Sequence, residues 1–439
     1  MRAGRASRRR GEATTGTGTT EVGADPAIAH HAALDARMAG AARGIRLLSL
    51  VSWPASEQQA FLAGWAAGNP VLPAHAYPRH DFSQARRELD AIAAAADPGH
   101  PLGIYLVESA HSWSLAAELL EHLGSPRVAE LSIALFGKPE HVLPGGATTR
   151  EAANHFIAIA NELDHELLAP SEQVEISATS LGLQLQAALD DFFDGRVIQV
   201  VLDPDLIAKA AAGATRIRLR AGAAFSDYDL PQLLQHEAFV HSLTALNGRE
   251  QAVLPSLSLS SPRTTATQEG LATFAEQITG SIDIERMKRV SLRIEAVAMA
   301  MDGADFLQVF RYFLDAGQND VESFTSAQRV FRGVPTSGGA AFTKDTVYLR
   351  GLIGVHTFFR WALKHDKLRL CRMLFAGKMT LADVQRFEPL FDSGALAPPR
   401  WLPHWVARAN GLAGMLAFSL FANRIRLEQI VDAETVSDL

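Results

Sequence analysis

Apolar residues recur at helical spacing along most of the chain, whereas strand-like alternation is confined to its middle. Residues 28–48, 82–96 and 151–168 place apolar side chains about every 3.6 positions, which predicts helices. The chain beyond about residue 230 is also predicted to be helical. Its longest apolar run, residues 411–422, is too short to span a bilayer, so we predict a buried helix there.

Two short segments ahead of residue 230 predict strands. Residues 196–202 are rich in β-branched side chains, and residues 215–220 alternate polar and apolar positions, as half-exposed strands do. We expect the second segment to be an edge strand that pairs with an extended substrate. The three arginines on its polar face would either attract an acidic peptide or keep the edge from pairing with other chains. The alternating pattern does not favour one of these roles over the other. The predicted fold class is α+β and mostly helical.

The length of 439 residues allows two closely packed subdomains. Pro144-Gly145-Gly146 marks a predicted boundary between a helical N-terminal subdomain, residues 26–150, and a second domain, residues 151–439, which carries the candidate site residues described below. Residues 1–25 are basic, then rich in Thr and Gly, and lack the apolar stretch of a signal peptide. We predict that they form a disordered tail.

The net charge and the cysteine content limit which classes of binding partner and which kinds of metal ligand are possible. A net charge of −7 argues against nucleic acid and anionic membranes as partners. The single cysteine, Cys371, excludes an intrachain disulfide and fits a cytoplasmic protein. It also excludes a zinc site built from several thiolates, which leaves nitrogen and oxygen ligands. The oligomeric state does not follow from the sequence.

The segment His236-Glu237-Ala238-Phe239-Val240-His241 is an HExxxH motif. Residues five positions apart lie about 140° apart around a regular α-helix, so one metal ion could not bind both histidines. A π-bulge, which adds one residue to a turn, would bring them together, and such bulges cluster at functional sites. We therefore predict a bulge between His236 and His241.

Glu269, within Gln268-Glu269-Gly270-Leu271-Ala272, offers a carboxylate downstream of the motif. Two histidines and one carboxylate leave a fourth position open on zinc, as in catalytic rather than structural zinc sites. Glu237 would then be the general base in hydrolysis of an amide bond. The spacing alone leaves a second interpretation open, in which these are ordinary helical residues.

The ends of the HExxxH helix are also predicted. Residues 226–229 supply cap side chains and Pro231 fits the first turn, while Asn247-Gly248 should end the helix with a left-handed C-cap.

The helix that carries Glu269 should begin near Thr265 or Thr267. Gly270 costs about 1 kcal/mol relative to alanine inside a helix, so we expect it to allow close packing against the HExxxH helix.

Three blocks occur in order along the chain: HEAFVHSLTALNG, TQEGLATFAEQITG and FRGVPTSGGAAFTKDTVYLRGL. Together they resemble the signature blocks of the bacterial QEGLA-motif proteins, also described as flavohaemoglobin-expression-modulating proteins. The same domain family includes the microtubule-associated tyrosine carboxypeptidases of animals, which remove the C-terminal tyrosine of α-tubulin. The resemblance covers about residues 30 to 430.

This resemblance implies a zincin-like metallocarboxypeptidase core, with a small sheet beside the HExxxH helix. His236, His241 and Glu269 match the family's Zn²⁺ ligands, and Glu237 matches its catalytic glutamate. The implied substrate is the C-terminus of a peptide or protein. Bacterial members are known by an effect on expression, so a non-catalytic zinc-binding regulatory protein is the alternative function.

A carboxypeptidase needs a cation to hold the terminal carboxylate of its substrate. We assign that role to Arg332 and Lys344, and we expect Tyr348 to hydrogen-bond the oxyanion, since Lys344 and Tyr348 share a helix face. Arg350 points away from that face and is expected to be structural. Ordinary salt bridges and core packing remain the alternative for the three substrate-binding residues.

Overall fold

The computed structural model describes residues 25–163, 175–204, 206 and 208–423. Within this part the protein is mostly helical with two small sheets, which confirms the predicted α+β class. Nearly all of the predicted disordered tail, residues 1–24, lies outside the described residues. No helix of the described part is long and apolar enough to cross a membrane.

The described chain before the first strand is helical. The helices are α1 Pro26–Ala42, α2 Leu47–Leu50, α3 Ala55–Ala66, α4 Ser83–Ala95, α5 Pro101–Glu121, α6 Arg127–Phe136 and α7 Thr149–Glu162. The predicted helix at 28–48 is split by a turn at residues 43–44, and the one at 82–96 is confirmed. The predicted helix at 151–168 is seen to Glu162, and its last residues lie outside the described part.

The strands lie around helix α8, Ala178–Phe193, and form two sheets. They are β1 Ile176–Ser177, β2 Gln199–Asp203, β3 Ala210–Ala212, β4 Arg216–Arg220 and β5 Ala224–Phe225. In the larger sheet, β4 lies between β2, its parallel neighbour, and β3, its antiparallel neighbour. The predicted edge strand at 215–220 is therefore wrong: this segment is central, and β3 is an edge.

A long continuous helix follows the sheets, residues 229–249, and we call it the HExxxH helix. It consists of α9 Asp229–Leu233, a π-helical segment Leu234–Ser242 and α10 Leu243–Arg249. The predicted side-chain cap is not formed: Tyr228 is the N-cap and makes no capping bond, although Asp229 accepts a hydrogen bond from the Ser226 backbone at 2.7 Å.

The predicted left-handed C-cap at Asn247-Gly248 is wrong, because α10 continues through Gly248 to Arg249. A Cβ at Gly248 would lie 2.4 Å from the Leu257 carbonyl oxygen, so glycine is required there for close backbone packing. The Asn247 amide is buried, and it donates to the carbonyl oxygens of Phe375 and Trp401.

The remainder of the described chain is helical, with short 3₁₀ turns at Pro255–Ser258, Pro262–Thr264 and Thr343–Thr346. The helices are α11 Thr265–Ile278, α12 Ile284–Met301, α13 Phe306–Asp315, α14 Asp320–Phe331, α15 Val347–Lys364, α16 Leu368–Met373, α17 Leu381–Arg386, α18 Glu388–Asp392, α19 His404–Ala407 and α20 Ala409–Ala422. Helix α11 begins at Thr265, as predicted.

Helix α20 differs from the prediction of a buried helix at 411–422. Leu412 and Leu416 are buried, but Met415, Phe418 and Phe421 are 52%, 73% and 63% exposed. The apolar run therefore covers both faces of α20. Only one of these faces packs against the rest of the protein.

The buried apolar residues form one continuous cluster from Leu34 to Leu416. Phe61 of α3 packs edge-on against Phe310 of α13, with ring centroids 4.9 Å apart, and Trp53 lies 5.8 Å from Phe306. Aromatic residues from both sides of residue 150 thus share a core. The division into two subdomains stays a prediction.

Helices α11 and α15 cross at two glycines. A Cβ on Gly270 would lie 2.1 Å from the carbonyl carbon of Gly351, and a Cβ on Gly351 would lie 2.0 Å from the carbonyl oxygen of Ala266. The predicted need for close packing at Gly270 is therefore confirmed, but its partner at this crossing is α15. Because α11 carries Glu269, the crossing positions the candidate metal centre.

We expect Gly351→Ala to destabilise the protein by about 2–3 kcal/mol, because the methyl group overlaps backbone that cannot rotate away. Gly354→Ala, three residues further along α15, is the matched control: its Cβ would lie 3.7 Å from the nearest atom, Leu381 Cδ1. That variant should stay within about 1 kcal/mol of the wild type. Urea unfolding followed by circular dichroism measures both, and equal stabilities would contradict the proposed crossing constraint.

Candidate metal centre

The π-helical segment Leu234–Ser242 spans the HExxxH motif, which confirms the predicted bulge. It brings the ring centroids of His236 and His241 to 4.8 Å from each other, with the rings nearly perpendicular. Two imidazoles five positions apart therefore share one face of the helix, because the wider turn absorbs the additional residue.

Glu269 on α11 completes a group of three potential ligands. Its Oε2 lies 3.5 Å from His236 Nε2 and 3.7 Å from His241 Nε2. Ligand atoms on a tetrahedral zinc ion, at about 2.0–2.1 Å from the metal, are about 3.4 Å from one another. One ligand atom from each residue lies within 4.8 Å of the others, so the three side chains could hold one metal ion.

The orientation of His236 is fixed by a buried carboxylate. Its Nδ1 donates to Glu276 Oε1 at 2.6 Å, which leaves Nε2 directed to Glu269. A carboxylate behind a histidine ligand is common in metal sites, because it fixes the ring and makes it a better ligand. Burial lowers the pKa of His236, but hydrogen bonds with Glu269 and Glu276 outweigh it and raise the pKa to about 10. The site therefore favours a positive charge at Nε2.

Glu276 itself is held by Arg286 of α12, which donates to both carboxylate oxygens, with Nη2 2.7 Å from Oε1. Burial raises the pKa of Glu276, but His236 and Arg286 outweigh it and lower the pKa. Neither Glu276 nor Arg286 is among the site residues predicted from the sequence. A signal was available for Glu276: it lies seven residues, about two helical turns, after Glu269 and so on the same face of α11.

Lys344 lies directly behind the third ligand. Its Nζ donates to Glu269 Oε1 at 2.8 Å and lies 4.9 Å from the centre of the Tyr348 ring. Burial raises the pKa of Glu269, but Lys344 and the two histidines outweigh it and hold the pKa well below its usual range. Lys344 thus orients Glu269 with Oε2 toward the histidines. The predicted shared helix face is wrong, because Lys344 lies in the 3₁₀ turn before α15, but its side chain still lies next to Tyr348.

Arg332 and Tyr348 belong to a buried group of charges next to Lys344. Arg329 makes two bonds of 2.6 Å with Asp345, and its Nη2 lies 3.5 Å from the Tyr348 hydroxyl. Burial lowers the pKa of Arg332 to about 10, with Arg329 contributing further. Arg332 Nε has no hydrogen-bond partner within the described residues. The substrate-binding roles of these residues stay predictions.

Glu237, the glutamate of the HExxxH motif, lies between the HExxxH helix and the larger sheet. Its Oε2 accepts a hydrogen bond from the backbone N–H of Ala212 in β3 at 3.1 Å. The edge strand β3, and not the segment predicted from the alternating pattern, is therefore the strand in contact with this glutamate. An acidic group, a candidate ligand set of two imidazoles and one carboxylate, and an open strand edge lie together.

Fold and site together define a helical α+β protein in which two histidines and a glutamate converge on one point beside a second glutamate. A family model described as microtubule-associated tyrosine carboxypeptidase matches residues 59–424. The match covers most of the chain, so this protein belongs to that family, and the family implies carboxypeptidase-type activity. Comparison with curated proteins gives no match.

We expect Glu276→Gln to weaken metal binding about 10- to 100-fold, because the amide cannot support His236 as a carboxylate does. Competition with a fluorescent zinc chelator measures the affinity. Glu285→Gln, an exposed residue at the start of α12, is the matched control and should bind zinc as the wild type does. Unchanged affinity in Glu276→Gln would show that the carboxylate does not support the ligand.

Proposed function

We propose that this protein is a zinc-dependent carboxypeptidase that removes a C-terminal residue from a peptide or protein. The convergence of His236, His241 and Glu269 within 4.8 Å of one another carries the proposal. Membership of the tyrosine carboxypeptidase family supports the same class of reaction. The HExxxH helix beside a small sheet fits a zincin-like core.

His236 and His241 would hold the zinc ion through Nε2, and Glu269 through Oε2. A bound zinc ion would supply Lewis-acid activation of the attacking water and of the scissile carbonyl. Glu276 binds the other ring nitrogen of His236, and Lys344 binds the other carboxylate oxygen of Glu269. These two ligands would therefore need little rearrangement on binding, which favours a tight site.

Glu237 is the proposed general base. It accepts a proton from the attacking water and later passes the proton to the leaving amine. The Ala212 N–H holds one carboxylate oxygen at 3.1 Å, which fixes the group and leaves Oε1 to accept the proton. A structural metal site has no use for such a base, and this favours catalysis over a purely regulatory role.

Strand β3 is the proposed substrate-pairing edge. Ala211 is paired with Arg218 in β4, and Gly213 N–H donates to the Arg216 carbonyl at 2.7 Å. Backbone groups alternate in direction along an antiparallel strand, so Ala210 and Ala212 present theirs to the open side. The Ala212 N–H bond to Glu237 agrees with this direction. An extended peptide added at this edge would pass the base.

Arg332, Lys344 and Tyr348 are the proposed substrate-binding residues. Arg332 would bind the terminal carboxylate with Lys344, and Tyr348 would donate to the oxyanion. The excess of buried cations next to Glu269 supports an anionic ligand at this side of the site, since Arg329 and Asp345 already satisfy each other.

The purified wild type should contain one zinc ion per chain, and His241→Ala should lose it because two ligands do not hold the ion. Metal analysis by mass spectrometry measures both. His365→Ala, which changes an exposed histidine bonded to its own helix, is the matched control and should keep the zinc. Stoichiometric zinc in His241→Ala would remove that residue from the ligand set.

Glu237→Gln should keep zinc and lose hydrolysis by a factor of at least about 10³, since removal of the base leaves no group to take the proton. The wild type and the variant are incubated with a mixed peptide library, and the loss of C-terminal residues is followed by mass spectrometry. Glu250→Gln, at the exposed end of the same helix, is the control and should remain active. Wild-type activity in Glu237→Gln would contradict the role of Glu237 as the general base. A wild-type protein that contains zinc but cleaves no peptide would favour the regulatory function.

A further inference from the structure

The loop 374–379 between α16 and α17 is fully buried, although loops normally lie at the surface. Side chains near the end of the HExxxH helix satisfy its backbone. Asn247 donates to the Phe375 carbonyl at 2.8 Å, and Gln251 donates to the Ala376 carbonyl at 3.1 Å. The loop is therefore fixed relative to the helix that carries His236 and His241.

Lys378 lies in this buried loop and is only 8% exposed. Its backbone N–H donates to the Leu257 carbonyl at 2.7 Å, and its Nζ donates to the Ser260 hydroxyl at 2.7 Å. A hydroxyl is a neutral acceptor, and Lys378 forms no ion pair with a carboxylate of the described residues. An ammonium group has three N–H donors, so two of them lack a protein partner in this part of the chain.

Burial of an ammonium without a counter-ion is costly, so its retention needs an explanation. Burial lowers the pKa of Lys378 to about 8, while the charges of Glu269 and Glu237 act in the opposite direction. The group is therefore still mainly protonated at neutral pH, and it lies within the electrostatic range of both functional glutamates.

Three other cations around the metal centre are already engaged with carboxylates. Arg286 binds Glu276, Arg329 binds Asp345, and Lys344 donates to Glu269 at 2.8 Å. The charge of Lys344 is already compensated by Glu269, so Lys344 alone would attract a second anion less strongly. Lys378 would have to release nothing but a serine hydroxyl.

We propose that Lys378 binds the C-terminal carboxylate of the substrate. The inference rests on the proposed carboxypeptidase function and adds a recognition residue to it. The carboxylate of a C-terminal residue lies one residue, about 3.6 Å, from the scissile carbonyl, so its cation has to lie next to the metal centre. The loop that carries Lys378 is fixed to the HExxxH helix, and the charges of Glu269 and Glu237 act on Lys378. Charged hydrogen bonds are strong where water is excluded.

The test measures binding rather than turnover. Zinc-loaded Glu237→Gln protein is titrated into a fluorescein-labelled pool of random tetrapeptides with free C-terminal carboxylates, and into the same pool with amidated C-termini. Fluorescence anisotropy should show tighter binding of the free-acid pool. Adding Lys378→Met should weaken binding of the free-acid pool about 10- to 100-fold and leave the amidated pool unchanged.

Two further variants separate recognition from folding. Lys378→Gln keeps a donor for Ser260 without the charge and should lose the same preference. Lys367→Met removes a lysine from an exposed ion pair with Glu388, and it should leave the preference unchanged. The zinc content of each variant is measured in parallel.

The inference is overturned if Lys378→Met and Lys378→Gln keep the preference for the free acid, or if they weaken both pools equally. The second result would indicate stabilisation of the oxyanion or a structural role. Failure of the proposed function is a separate result, namely a wild type that contains no zinc or releases no C-terminal residue from the free-acid pool.

Discussion

Two histidines five positions apart have to reach one point, and the rest of the site depends on the widened helix that makes this possible. A π-helical turn is rarer and less favourable than an α-helical one, so packing has to stabilise it. Ala238, Val240 and Leu243 are fully buried around it, and the Ser242 hydroxyl ties it to the Gly213 carbonyl at 2.7 Å. The helix cannot return to regular α-geometry without disrupting these contacts.

Two of the three candidate ligands, His236 and Glu269, have a charged partner behind them. Arg286 holds Glu276, which holds His236, and Lys344 holds Glu269. Buried charges of this kind contribute little net stability, because desolvation offsets most of the attraction. Their effect is geometric: removing any one of them would leave an uncompensated charge beside the metal centre. Ligand identity is therefore only part of what the sequence has to encode.

Patterns local to one helix were sufficient to predict much of the site. The spacing of His236 and His241 implied the bulge, and the unfavourable glycine at position 270 implied a close contact. Features that depend on distant residues were not accessible. Asn247-Gly248 has the composition of a C-cap, but tertiary contacts with residues around 257, 375 and 401 extend the helix beyond it.

The larger sheet shows the same limit. Alternation along residues 215–220 correctly indicated a strand with one buried face, yet alternation carries no information on which strands flank it. The three alanines of β3 show no alternation, so the true edge strand had no signal of its own. Likewise, the run at 411–422 is apolar on every face, and its composition alone could not show that Phe418 stays in solvent. In each case the sequence indicated the strand or helix itself, but not which other parts of the chain pack against it.

The contacts of Asn247 also bear on the order in which the protein assembles during synthesis. Its side chain is satisfied by Phe375, Arg400 and Trp401, which are translated about 130 to 150 residues later. Both histidines and Glu269 leave the ribosome well before those partners exist. Long-range contacts form only after the chain between them is made. The HExxxH helix therefore reaches its final packing only after the chain has been synthesised as far as residue 401.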